Sequence, residues 1–131
     1  MKTIEVVAAV IQKDGQVFVT QRGYGEFKDM WEFPGGKVKP HEQNEDALVR
    51  EIKEELDTTI QVDRFLTTVE YTYPSFHLVM HCYLCSIKSG ELTLLEHEAA
   101  KWVPVKAIDP AGFLPADVLL IEELMKTERK V

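Results

Sequence analysis

A chain of 131 residues, 45 % apolar and 28 % charged, is long enough for one domain with a real core, and no apolar run in it approaches the roughly 20 residues of a membrane helix. Its net charge of −7 argues against a basic stripe that grips a nucleic-acid backbone. An anionic ligand would need bound cations to bring positive charge. A cytoplasmic location is expected by default, and the expected partner is a small molecule, with no nucleic acid polymer and no membrane, the chain being monomer or homodimer.

In chain order, the apolar, β-branched runs IEVVAAVIQK and QVFVTQR are joined by Asp14-Gly15 and read as a hairpin. The start therefore reads as a strand and not as a targeting segment. Residues 23–29, GYGEFKD, form a loop, and WEF is a short extended piece stopped by Pro34-Gly35-Gly36. A helix is expected from about Asn44 to Leu56. IQVDRFLTTVEYTY and HLVMHCYLCSI are strand-like, with a turn at Pro74-Ser75. GELTLLEHEAAKWVPV holds a short strand ending near Val103, and Pro115 opens a last helix, PADVLLIEELMKTER. The sum is one domain, 1–131, of α/β (α+β) class with helices packed on a mixed sheet.

Cys82 and Cys85 have C-x-x-C spacing, which invites a zinc or redox reading. On a strand, an offset of three puts the thiols on opposite faces, so two buried inert thiols are expected instead. The four histidines are scattered; His81 reads as a core strand residue, and His97 receives no role.

The helix is the chemical feature. At 100° per residue, Leu48, Val49, Ile52 and Leu56 share one arc, the buried stripe. Glu51, Glu54 and Glu55 lie together on its flank, with small Ala47 leaving that face open and Arg50 just beyond. Like charges at this spacing destabilise a helix unless something compensates. A hard divalent cation would, since Mg²⁺ prefers oxygen ligands. A solvated acidic face screened by Arg50 and Lys53 is the plainer explanation of the triplet alone.

Gly36, Glu42, Arg50, Glu51, Ile52, Glu54 and Glu55 fit the spacing G-x5-E-x7-R-E-U-x-E-E, with U aliphatic. This resembles the Nudix box. The Gly that ordinarily follows is Asp57 here, and the next, aliphatic position is Thr58. That Gly ends the helix at positive φ, where Asp is tolerated, and is not a ligand position, so some lost stability and no lost chemistry is expected. MWEFPGGKV, EHEAAKWV and LPADVLLIEEL are similar to the MutT-like and CTP pyrophosphohydrolase-like branch, and the likeness runs over nearly the whole chain.

The resemblance implies an α/β/α sandwich with a mixed sheet and Mg²⁺-dependent (Mn²⁺ as a substitute) hydrolysis of a nucleoside triphosphate to monophosphate and pyrophosphate. It implies Gly36, through its carbonyl, and Glu51, Glu54, Glu55 and Glu96 as metal ligands. Glu51, Glu54, Arg50 and Glu96 would be catalytic, with Arg50 orienting a helix glutamate and Glu42 bracing the loop or touching metal through water. Glu96, favoured over Glu98 by its distance from Trp102, is a ligand, the general base or a plain surface residue. Arg22 and Lys37 are phosphate candidates, and Phe33 a stacking surface for a base. Asp117 stands where the oxidised-guanine enzymes have Asn; as an acceptor it suits the cytosine amino group, favouring CTP, dCTP or a 5-substituted dCTP. A helix-start Asp explains the same residue. An 8-oxo-dGTP hydrolase is the nearest alternative. Further off are a hydrolase of ADP-ribose, nucleotide sugars or dinucleoside polyphosphates, and a non-catalytic binding module.

Overall fold

The computed structural model describes residues 1–129. Its strands are β1 (Lys2–Lys13), β2 (Gln16–Arg22), β3 (Trp31–Glu32), β4 (Gly35–Lys37), β5 (Thr59–Thr72), β6 (Phe76–Ser89) and β7 (His97–Pro104). Its helices are α1 (Asn44–Leu56) and α2 (Pro115–Arg129). The path through the mixed sheet is β3-β2-β1-β6-β5, with β4 added beside β1 and β7 beside β2. β1 runs parallel to β6 from Lys2↔Phe76 to Ile11↔Cys85. The expected first hairpin exists but is short: β1 and β2 pair only at Gln12↔Val17 and Lys13↔Gln16, across the positive-φ turn of Asp14 and Gly15.

Side-chain alternation along β1 divides the core. Val7, Ala9 and Ile11 pack with Leu48, Ile52 and Leu56 of α1. Ala8 and Val10 pack on the other side with Ala116, Leu120 and Ile121 of α2. Each face of the central strand thus carries a helix, giving an α/β/α sandwich. Cys82 lies in the α2-side cluster and Cys85 in the α1-side cluster, so the two thiols share no site. Both are free and buried, and burial pushes the Cys85 thiol up to about 12.

Three local readings change. Pro-Gly-Gly is no mere stop: Gly35–Lys37 forms β4, pairing Ala8↔Gly35 and Val7↔Gly36. Two glycines carry no strand pattern, yet only they fit there. A Cβ on Gly35 would lie 2.9 Å from the Ala8 Cα and would strike the Val7 carbonyl. Ala47 does not leave the acidic face open; it is fully buried against the sheet. His81 is half-buried on the sheet surface, not core, with Nδ1 3.0 Å from Thr68 Oγ1 and Nε2 3.1 Å from Glu5 Oε1. α1 ends as expected, with Asp57 left-handed at φ 50° and its N–H donating to the Lys53 carbonyl at 3.1 Å.

Candidate active site

α1 presents its glutamates at the junction of β4, β2 and the segment before β7. Arg50 organises them. Its guanidinium grips Glu42 through Nε (2.7 Å) and Nη2 (2.9 Å), Glu51 through Nη1 (2.9 Å) and Glu54 through Nη1 (3.2 Å). Nη2 also donates to the Lys37 carbonyl at 3.1 Å, tying helix to loop. Glu42 in addition accepts the Lys39 N–H at 3.0 Å, so it braces the loop. The Arg50 bonds, followed by that backbone bond, hold the Glu42 carboxyl down at about 2.

The other glutamates face different surroundings. Glu54 is half exposed, whereas the Glu51 and Glu55 side chains are 17 % and 13 % exposed. Burial raises the Glu51 carboxyl, against the pull of Arg50. Among the described residues Glu55 makes no ion pair with Arg or Lys: burial, then repulsion from Glu51, Glu32 and Glu96, pushes it up to about 9. Its Oε2 is buried without a hydrogen-bond partner. Such an atom is costly unless something positive meets it.

The segment 90–96 brings Glu96 to this cluster. Thr93 N–H donates to the Leu56 carbonyl (2.9 Å) and Leu95 N–H to the Glu55 carbonyl (3.1 Å), covering the otherwise open C-terminal end of α1. Glu96 is exposed there and adds repulsion at Glu51 and Glu55. Glu98 is turned away, toward Asp29.

Gly36 closes the site from β4. A Cβ there would overlap the Glu51 carboxylate, so only glycine lets backbone and carboxylate lie side by side. Among the described residues no three His, Cys, Asp or Glu side chains stand close enough to form a finished metal cage, because Glu51 and Glu54 lean on Arg50. The donor set is nevertheless all hard oxygen with one bare buried carboxylate atom, which fits a divalent cation of the Mg²⁺ or Mn²⁺ kind. The carboxylates of Glu51, Glu54 and Glu55 would hold it, with the Gly36 carbonyl.

A cavity of about 330 Å³ opens beside β4, its wall including Gly36 and Lys37 at one place and Asp117 at another. Arg22 borders it, bonded to Glu32 by Nε (2.8 Å) and Nη2 (3.1 Å) and lying 5.7 Å from the Phe27 ring centroid. Phe27, Tyr73 and Phe76 form an aromatic wall, with centroids 5.4 Å and 5.0 Å apart in succession. Phe33 borders the cavity too, but the residue is 3 % exposed and its ring packs on Phe113. Its N–H donates to Asp117 Oδ1 at 2.9 Å. Asp117 is buried; burial, then repulsion from Glu32, pushes its carboxyl up to about 8. Tyr24, in the loop before β3, is 69 % exposed and outside the cavity wall.

Sequence reasoning passed over Glu32, His97, Tyr73 and Phe76. Glu32 had one readable signal, a charged residue between two aromatic ones in an extended piece. His97 and Phe76 are placed by strand register, and Tyr73 by the turn after β5.

The NUDIX domain family profile matches residues 1–124. The chain is 35 % identical over 126 residues to the CTP pyrophosphohydrolase of Escherichia coli (strain K12), covering 95 % of this chain and 93 % of that one. Identity and coverage are the same for an 8-oxo-dGTP diphosphatase of Haemophilus influenzae, at 35 % over 126 residues, 95 % and 93 %. Among solved structures, the solution structure of the E. coli ORF135 protein superposes with a TM-score of 0.86 at 33 % identity, covering 99 % of this chain and 94 % of that one. The MutT NUDIX hydrolase from Burkholderia pseudomallei gives 0.85 at 28 % identity, with 94 % and 98 % covered.

Proposed function

The chain belongs to the Nudix family of hydrolases, and on that premise we propose that it is a Mg²⁺-dependent nucleoside triphosphate pyrophosphohydrolase. It releases a nucleoside monophosphate and pyrophosphate, with CTP, dCTP or a 5-substituted dCTP as favoured substrates. The whole chain acts as one cytoplasmic catalytic domain. The observation that carries this reading is the adjacency of two things: a nucleotide-sized cavity, and a bare buried carboxylate among hard oxygen donors.

A bound divalent cation supplies neutralisation of the phosphate oxygens and a lowered pKa for the attacking water. The chain's own residues do the rest. Arg50 orients Glu51 and Glu54 through its Nη1, and Gly36 lets the backbone approach. The proton of the attacking water goes to a carboxylate open to solvent; Glu54 and Glu96 are open, whereas the Glu51 and Glu55 side chains are only partly exposed. Arg22 and Lys37 draw the phosphates to the cavity mouth, Arg22 exchanging its bond to Glu32 for one to substrate. The new P–O bond forms as the anhydride bond between the α- and β-phosphates breaks, and monophosphate and pyrophosphate separate.

Base choice follows from Asp117. Its Oδ1 is occupied by the Phe33 N–H, so the second oxygen meets the base. With the carboxyl pushed up to about 8, that oxygen carries a proton at neutral pH and both donates and accepts. Cytosine offers an amino donor beside a ring-nitrogen acceptor, which a hydroxyl-like group satisfies; guanine's O6 and N1–H meet the same group, so the Asp117→Asn variant is what separates the two readings. In Asp117→Asn the carbonyl would stay with Phe33 and the amide NH₂ would face the base as a donor only. That suits a carbonyl such as guanine O6, and links this reading to the second, an 8-oxo-dGTP hydrolase like several relatives. Asp117→Asn is expected to lower kcat/KM for dCTP by roughly 10–100-fold and to spare or raise that for 8-oxo-dGTP. A panel of nucleoside triphosphates assayed for monophosphate and pyrophosphate checks this; an unchanged ranking removes Asp117 from base reading, and orthophosphate as product removes the proposed cut.

A further inference from the structure

The surroundings of His97 go one step further. β7 pairs regularly with β2 from Gln16↔Pro104 to Gln21↔Ala99; then the register slips and Arg22 faces His97. The slip leaves Glu98 over as the bulged residue. In an unbroken ladder Glu98 would follow Ala100 and Trp102 on the α1 side of the sheet, where both pack. The bulge turns Glu98 outward and puts His97 in that place, as bulges beside active sites re-aim side chains. The bend packs on Gly23, where a Cβ would stand 3.3 Å from the Glu98 nitrogen.

The imidazole so placed is 7 % exposed, and its Nε2 lies 4.0 Å from Glu55 Oε2. Glu55 Oε2 is buried without a partner, and so is His97 Nδ1. A buried carboxylate oxygen with unmet bonding capacity is rare in a folded protein, and His97 Nε2 is the ring nitrogen that faces it, Nδ1 lying on the other side of the ring. The 4.0 Å gap is too long for a direct bond and suits one bridging atom with a bond to each side.

We propose that His97 is a positioning residue: its Nε2–H, through one bridging water, holds the Glu55 carboxylate in the orientation in which it ligates the cation. This rests on the reading of Glu55 as a cation ligand. It assigns His97 the outer-shell part that keeps a ligand from rotating, a part whose loss typically weakens metal binding 10–100-fold.

The test is Mn²⁺ binding by the whole protein, followed by electron paramagnetic resonance, in wild type, His97→Gln, His97→Met and Glu55→Gln, with melting temperatures measured without metal. Gln restores an N–H near the Nε2 position; Met fills the space without a donor. His97→Gln should bind within about threefold of wild type, and His97→Met about tenfold more weakly. If Glu55→Gln does not weaken binding, the underlying reading fails. If Glu55→Gln weakens it and His97→Met does not, only the proposal fails. Equal loss in His97→Gln and His97→Met also overturns it, because the donor would then not matter. Should the Met variant not fold, imidazole ¹⁵N spectra of wild type decide: Nε2 should stay protonated throughout a Mg²⁺ titration, and loss of its proton would mean direct ligation and would overturn the proposal.

Discussion

Glu55→Gln is expected to melt higher than the wild-type protein in metal-free buffer at pH 8 while losing turnover on the order of 10³-fold with Mg²⁺ and nucleotide present. Both effects come from one atom. Glu55 Oε2 is buried with nothing bonded to it, and its carboxyl is raised from 4.5 to about 9. A group raised in the folded state contributes stability that is full below the unfolded value and lost as pH climbs through the folded one. The wild type therefore loses stability between about pH 4.5 and 9, and the Gln variant does not lose that part. The variant's advantage should be near zero at pH 4, grow through neutrality and level off above 9. Leaving a buried group unmet costs about 1–3 kcal/mol, so the gain in Tm at pH 8 should be roughly 3–10 °C. Glu54→Gln, at a half-exposed carboxylate, should lose turnover as severely with no gain in Tm. Differential scanning fluorimetry across pH, paired with pyrophosphate release, checks both. A Glu55→Gln protein that turns over normally, or whose stability follows pH as the wild type's does, contradicts this account.

The two glycines of β4 should separate fold from function. In Gly35→Ala the new methyl would run into the Val7 carbonyl and sit 2.9 Å from the Ala8 Cα, both backbone atoms of the central strand. Neither can move without pulling β1 off β6, so about 3 kcal/mol is expected to be lost and the Tm to fall by roughly 10 °C. In Gly36→Ala the methyl would displace the Glu51 carboxylate, the far end of a flexible side chain. The fold should survive with Tm nearly unchanged, while kcat drops about 100-fold or more because a positioned carboxylate has been moved. Denaturation midpoints and kcat measured on both variants test the contrast. Equal losses of activity at equal stability would mean that the β4 backbone does not divide its work this way.

Much of this architecture is legible in the residues because its signals are local. The 3.6-residue period marks α1, the left-handed Asp57 ends it within one residue of the expected place, and Arg50, Glu51 and Glu54 converge because a helix fixes their relative angles, with Glu42 brought to Arg50 by the preceding loop. What escaped the reading is set by pairings between distant segments. β4 has no pattern because glycine has none, and its role appears only beside Val7 and Ala8. His97 reaches Glu55 because of a single slip in the β2–β7 ladder, which no alternation rule reveals. Tyr73 and Phe76 join the cavity through the parallel pairing of β1 with β6 and the turn that follows β5. Asp117 was read as an acceptor; its burial at the start of α2, against the Phe33 N–H, pushes its carboxyl up, which no sequence pattern reveals. Hydrophobic period predicts a face, and only packing decides how dry it is.

The most direct test of the central claim is diffraction from crystals soaked with Mn²⁺ and a non-hydrolysable CTP analogue, with the ions located by anomalous scattering. The account predicts manganese bonded to carboxylate oxygens of Glu51, Glu54 and Glu55 and to the Gly36 carbonyl, with the triphosphate alongside and the base in the cavity against Asp117. Ions sitting elsewhere, with those glutamates still folded onto Arg50 and Glu55 Oε2 still bare, would contradict it.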